Sequence, residues 1–231
     1  MRNPPDALML FAAGFGSRMA PLTADRPKPL IEVAGKPLID HALDIAAEAG
    51  IDRTVVNTHY RADQIAAYLD GRSGVRIVHE PRILDTGGGL RHALPALGGG
   101  PVFTLNPDAV WRGANPLSEL AACWDPTHMD ALLLLVPRER ALGHDGPGDF
   151  EIDARGHLTR GDSMIYTGAQ IIATEGLNTI SDEVFSLNLL WDSMLLDERI
   201  QGIVHDGGWC DVGRPENIVL AESMLSGPGD V

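Results

Sequence analysis

Residues 10–30 read LFAAGFGSRMAPLTADRPKPL, and most of what this chain can be expected to do follows from them. Ala7 to Ala12 is a short apolar run of the kind that forms a buried strand. Gly14, Phe15, Gly16 and Ser17 follow, and their backbone N–H groups can turn toward one point, as glycine loops after strands do around phosphate. Arg18 and Lys28 add positive charge. The chain has two lysines, Lys28 and Lys36, among 18 basic residues. A lysine kept between Pro27 and Pro29 therefore points to chemistry: a compact ammonium can follow a phosphoryl group through a change of geometry, where a planar guanidinium would grip one arrangement.

Spacing sorts the phosphate loops. A dinucleotide fingerprint needs a third glycine three residues after the second, where this chain has Met19. A Walker loop needs Gly, four residues, then GlyLys and Ser or Thr, and no such string occurs. What remains, AAGxGxRMxPLTxxxPKPL over residues 12–30, resembles the opening signature of the sugar-1-phosphate nucleotidyltransferases, the nucleoside diphosphate sugar pyrophosphorylases. That resemblance implies a nucleotide held by Ala12, Ala13, Gly14, Phe15, Gly16 and Ser17, with Arg18 and Lys28 as catalytic residues.

Composition bounds the rest. A chain of 231 residues with 44% hydrophobic content can bury a substantial core. It reads as one nucleotidyltransferase domain, with a nucleotide-binding half at 1–136, a sugar-binding half at 137–225 and a tail at 226–231. The 18 basic against 32 acidic residues, a net charge of -14, argue against a nucleic-acid surface, which needs basic tracks. Any anionic ligand must be met by a local cluster. Cys123 and Cys210 match no paired metal spacing, so a reduced, cytoplasmic setting is expected. The apolar run after Arg2 enters the glycine loop without a cleavage pattern, and no stretch approaches the roughly 20 apolar residues that span a bilayer.

Apolar runs alternate with helical patterns in the manner of a parallel sheet wrapped by helices. Strands are expected at 7–12, 53–57, 75–79, 102–105 and 131–136, and helices at 37–49, 62–69, from Thr86 onward, and at 116–124. Beyond Pro137 the strands shorten, to 149–153, 157–159 and 164–173, followed by a helix at 186–196, a strand at 200–205 and a closing helix at 215–225. The fold class is α/β, and the resemblance implies a doubly wound, Rossmann-like, mainly parallel sheet with mixed strands at one edge. Ligands in such sheets sit outside the carboxyl ends of the strands, where the glycine loop lies.

Two aspartates form a second constellation. Asp108 follows Asn106 and Pro107 at the end of strand 102–105, and Asp211 lies in TrpCysAspValGly. The resemblance implies that Asn106 contacts nucleotide and that both aspartates hold Mg²⁺. Two carboxylates suffice, because phosphate oxygens and water complete the octahedron. Pro107 departs from the small residue usual before the family's strand-end aspartate, and it removes a backbone N–H.

The third constellation is residues 79–90, HEPRILDTGGGL. Three glycines opening a helix let backbone come close to a flat ligand, and relatives place the nucleobase here, which assigns Glu80, Thr86, Gly87 and Gly88 to the nucleotide. Uridine-specific relatives often carry glutamine at position 80. A glutamate only accepts hydrogen bonds, so it suits a guanine edge unless it turns away to an arginine such as Arg82.

AspThrGlyGlyGly at 85–89, GlyAspPhe at 148–150, TyrThrGlyAla at 166–169 and the late TrpCysAspValGly together resemble the bacterial N-acetylmuramic acid α-1-phosphate uridylyltransferases of cell-wall recycling. That likeness implies a sugar pocket lined by Gly148, Asp149, Tyr166, Thr167 and Gly168. UTP and a sugar 1-phosphate are then the expected partners. A guanylyltransferase acting on mannose or heptose 1-phosphate, or a non-catalytic nucleotide-sugar sensor, stays open from sequence. So do the oligomeric state and the residue that replaces the family's second phosphate-binding lysine.

Overall fold

In the computed structural model the described residues are 4–227, so Arg2 and the last four residues of the expected tail lie outside them. The chain begins with β1 (Ala7–Phe11), a small ribbon of β2 (Glu32–Val33) and β3 (Lys36–Pro37), and α1 (Leu38–Glu48). Next come β4 (Arg53–Thr58), α2 (Ala62–Leu69), β5 (Val75–His79), α3 (Asp85–Leu97), β6 (Val102–Leu105), β7 (Ala109–Arg112) and α4 (Pro116–Cys123). The second half contains β8 (Ala131–Pro137), β9 (Ala141–Leu142), β10 (Phe150–Ile152), β11 (Leu158–Arg160), β12 (Met164–Ile172), α5 (Asn188–Leu196), β13 (Ile200–Val204), β14 (Gly208–Asp211) and α6 (Glu216–Ser226). Ser226, expected in the tail, closes α6.

β5, β4, β1 and β6 form a parallel run. β12 then pairs antiparallel with both β6 and β8, and β13 adds parallel to β8. The sheet is α/β with mixed pairing beyond β6, as the resemblance implies. Parallel strands deliver the residues after their carboxyl ends to one edge, so Ala12, Glu80 and Asn106 emerge together, beside Asn57 near the end of β4. A separate ribbon of β7, β14 and β9 covers part of that edge.

The period-2 alternation of β1 divides the core between the two faces of the sheet. Leu8 and Leu10 join Val56 of β4, Ile39 of α1, Ile65 of α2 and Leu117 of α4. Ala7 and Met9 join Val55, Leu90 of α3 and Trp191 of α5. A third cluster of Met19, Ile31, Val33, Val110, Cys210 and Val212 anchors the ribbon beneath the glycine loop. No helix among the described residues is long and apolar enough to cross a membrane.

Candidate active site

The glycine loop leaves β1 as expected. Gly14 is exposed, with nothing within 4 Å of where a Cβ would stand, so its backbone faces open space. Gly16 adopts φ +62°, and a Cβ there would lie 2.8 Å from Lys28 Cβ. The turn therefore needs glycine to seat the loop on the lysine. Its carbonyl accepts from the Met19 N–H at 2.9 Å and from the Thr23 hydroxyl at 3.0 Å.

A cavity of about 210 Å³ opens at this loop, lined by Ala12, Gly14, Gly16, Ser17, Arg18, Lys28 and Asp108, with Phe11, Pro29, Pro107 and Gly213 completing its wall. Lys28 is nearly buried, and its ammonium donates to Asp108 Oδ2 at 2.8 Å. Ala13 is buried behind the cavity, and Phe15 stands half-exposed, edge-on to His59 and Tyr60.

The β7–β14 ribbon brings the two aspartates together. β7 starts directly after Asp108, β14 ends at Asp211, Asp211 pairs with Ala109, and the Val212 N–H donates to the Asp108 carbonyl at 2.8 Å. Burial raises the Asp211 carboxyl above the usual carboxylate range. The Asp108 charge adds to this, while Lys28, Arg18 and His144 oppose it. Two carboxylates and two cations thus act on one another across the cavity mouth. A second cavity of about 230 Å³ shares Arg18 and Gly213 and reaches Asp211, His144 and Arg214. Sequence reasoning misses His144 and Arg214, because single basic residues in loops carry no periodic or spacing signal.

No group of three or more His, Cys, Asp or Glu side chains suited to a metal occurs among the described residues. A pair of carboxylates beside the glycine-loop cavity fits a hard cation that takes its other ligands from water and a bound anion's oxygens. The cysteines stay outside the chemistry: burial and the nearby Asp211 push the Cys210 thiol up to about 11, and Cys123 is a free surface thiol.

The structure buries Glu80, at 1% exposed. Oε1 accepts from Asn57 Nδ2 at 2.6 Å and Oε2 from the Leu84 N–H at 3.1 Å. Glu80 does not pair with Arg82, which forms its ion pair with Glu183. The physical reason is that the buried Asn57 amide and Leu84 N–H need acceptors, and a carboxylate supplies two.

The amides of Gly87 and Gly88 donate to the Phe185 carbonyl at 2.9 and 3.0 Å, and the Thr86 hydroxyl accepts from the Leu187 N–H at 3.0 Å. The glycine segment is thus packed under the chain's own residues 183–187, and those two amides are engaged within the protein.

The five residues expected at the sugar line neither cavity. Gly148 donates to Asp162 Oδ1 at 2.6 Å, and Asp149 Oδ2 accepts from the Tyr166 N–H at 2.8 Å. Burial raises the Tyr166 phenol well above its ordinary range, and its hydroxyl is held by Thr104 and Gln170. The Thr167 hydroxyl turns inward to the Leu134 carbonyl at 2.7 Å. Gly168, at φ +88° in a bulge of β12, lies against Asn106, whose N–H donates to its carbonyl at 3.0 Å. Asn106 and Gly168, assigned to nucleotide and sugar, therefore do adjoin.

With this geometry in hand, comparison with known proteins is direct. Residues 8–185 match the MobA-like NTP transferase domain. The chain is 39% identical to an N-acetylmuramate alpha-1-phosphate uridylyltransferase of Caulobacter vibrioides, over 98% of this chain and 99% of that protein. It is 35% identical to one of Neisseria meningitidis serogroup B, over 94% and 96%. Its fold superposes on the crystal structure of a UDP-glucose pyrophosphorylase complexed with UDP-glucose with a TM-score of 0.81, covering 96% of this chain and 98% of that one at 15% identity. The glycine loop with its lysine, the paired aspartates and these full-length likenesses agree: the chain belongs to the sugar-1-phosphate nucleotidyltransferases, in the MobA-like NTP transferase family.

Proposed function

We propose that the protein transfers the uridylyl group of UTP to N-acetylmuramic acid α-1-phosphate, releasing pyrophosphate, in the cytoplasm and with Mg²⁺. The observation that carries the chemistry is the convergence of Lys28, Arg18 and Asp108 on the cavity at the glycine loop, with Asp211 in the adjoining cavity that shares Arg18. The full-length likeness to uridylyltransferases supports the base and the sugar. Glu80, whose carboxylate would otherwise suit guanine, already accepts from Asn57 and Leu84 inside the protein, which supports the uridylyl reading.

An oxygen of the acceptor phosphate attacks the α-phosphorus in line, and the bond from that phosphorus to the β-phosphate oxygen breaks. The acceptor is already an anion, so no general base is required; catalysis is positioning plus neutralisation of growing charge. Lys28 would bind the α-phosphate, Arg18 and the Gly14–Ser17 amides the leaving pyrophosphate. Asp108 and Asp211 would hold Mg²⁺, which when bound offsets phosphate charge. Lys28 and Asp108 neutralise each other in this structure. On substrate binding, Lys28 exchanges a carboxylate for a phosphate and stays paired throughout.

The test is pyrophosphate release by the purified protein from each of the four nucleoside triphosphates against a panel of sugar 1-phosphates. Turnover confined to UTP with N-acetylmuramic acid α-1-phosphate is expected. A preference for GTP with every acceptor would overturn the uridylyl assignment.

A further inference from the structure

We infer that Glu80 is a positioning residue for the triphosphate loop, acting through Asn57, an inference that rests on the loop's role proposed above. The buried carboxylate heads a relay of three hydrogen bonds. Glu80 Oε1 accepts from Asn57 Nδ2 at 2.6 Å, and Asn57 Oδ1 accepts from the N–H of Ala12 at 2.7 Å, the first loop residue after β1. The other carboxylate oxygen accepts from the Leu84 N–H at 3.1 Å, one residue before α3. Gly89 of α3 closes the group from behind: a Cβ there would stand 2.7 Å from Glu80 Oε1 and 3.1 Å from Asn57 Nδ2.

The polarity of the relay is forced from both ends. The Ala12 N–H can only donate, so Asn57 must show it the carbonyl oxygen and turn its NH₂ the other way. That NH₂ needs an acceptor at position 80, and so does the Leu84 N–H. A carboxylate has two acceptor oxygens, whereas a glutamine has one and would set its own NH₂ against another donor. A glutamate at 80 is therefore explained by what lies beneath the loop. Through it, the point where the glycine loop leaves the sheet is tied to the start of α3.

A swap tests this. In Glu80→Gln one buried donor loses its acceptor, which should weaken triphosphate binding by roughly tenfold. The loss should be equal for UTP and GTP and should fall on the triphosphate KM, leaving the acceptor KM unchanged. Asn57→Asp sets two buried carboxylates face to face and should be worse. The double variant Asn57→Asp with Glu80→Gln rebuilds every bond with the charge moved. The carboxylate introduced at position 57 would accept from the Ala12 N–H and from the amide NH₂ introduced at position 80, whose carbonyl oxygen would accept from the Leu84 N–H. Triphosphate affinity should return to within a few-fold of the unaltered protein.

Affinity for UTP and GTP is measured by calorimetry alongside turnover, so the relay is judged even if turnover fails. An unaltered protein inactive with every substrate pair refutes the function, and the binding series still decides the relay. Affinity unchanged in both single variants, a loss confined to one base, or a double variant no better than Asn57→Asp overturns the inference. Should Asn57→Asp not fold, folding and recovered affinity of the double variant support it, and failure of both to fold overturns it.

Discussion

Two glycine-rich turns follow strands of the same parallel run, and they use their glycines in opposite ways. At Gly14 the absent side chain leaves room: it borders open space and the loop walls a cavity, while Gly16 seats the loop on Lys28. At 87–89 the room is already filled. A Cβ at Gly87 would stand 2.3 Å from the Phe185 ring, one at Gly88 2.5 Å from the Glu183 carbonyl oxygen, and one at Gly89 2.7 Å from Glu80. A glycine run in a sequence reports that something approaches the backbone closely, without saying whether that is a ligand or the protein itself.

The largest test of the contrast is Lys28→Ala, which strips the first turn of the charge it is packed around. If the ammonium neutralises charge that grows during transfer, its loss should raise the barrier by about 3 kcal/mol, on the order of a hundredfold in turnover. The melting temperature verifies that the variant is folded. Near-normal turnover in the folded protein would remove this loop from the chemistry.

Next in size is the aspartate pair. Groups that merely orient metal ligands are worth about 10–100-fold in affinity, so Asp108→Asn or Asp211→Asn should raise the magnesium needed for half-maximal rate by at least about tenfold. The double variant should cost less than the sum, because the pair acts as one unit. An unchanged magnesium requirement in both single variants would show that phosphate and water hold the ion alone.

This pair also marks how far the sequence could be read. The parallel run was legible because each strand is a local apolar stretch next to a helical pattern. β7 and β14 were not, because four residues such as AVWR or GWCD carry little periodicity and their pairing joins positions about a hundred apart. The turn AsnProAsp reads as an ending, yet the chain re-enters a strand one residue later. Glu80 failed differently. A charged residue after a strand is mostly exposed, and only the donors at Asn57 and Leu84, invisible in one dimension, draw it inside.

Gly88→Ala addresses the second turn. Its Cβ would press on backbone, the Glu183 carbonyl, which cannot rotate aside as a side chain would. Such overpacking costs about 1–3 kcal/mol, against which alanine gains about 1 kcal/mol over glycine within α3. A net loss of up to about 2 kcal/mol is expected by denaturant unfolding, with the triphosphate KM of the folded fraction unchanged. A raised KM at unaltered stability would instead place a ligand against this segment.

The smallest effect is expected from the same substitution in the first turn, and it completes the contrast. At Gly14 no atom lies within 4 Å of the new methyl, and the backbone is not in the left-handed region. Alanine there reduces the freedom of the unfolded chain, worth about 0.4–1 kcal/mol where the native conformation accepts it. Stability should stay level or rise slightly. The methyl would nonetheless stand at the cavity wall, where the loop amides are proposed to meet pyrophosphate, and the triphosphate KM should rise a few-fold while the acceptor KM stays put. Chemical denaturation and initial-rate kinetics on Gly14→Ala and Gly88→Ala together form the decisive pair. Stability and KM should move in opposite places, one in each variant. If Gly14→Ala loses stability and keeps its KM, the first turn is a structural turn like the second, and the triphosphate lies elsewhere.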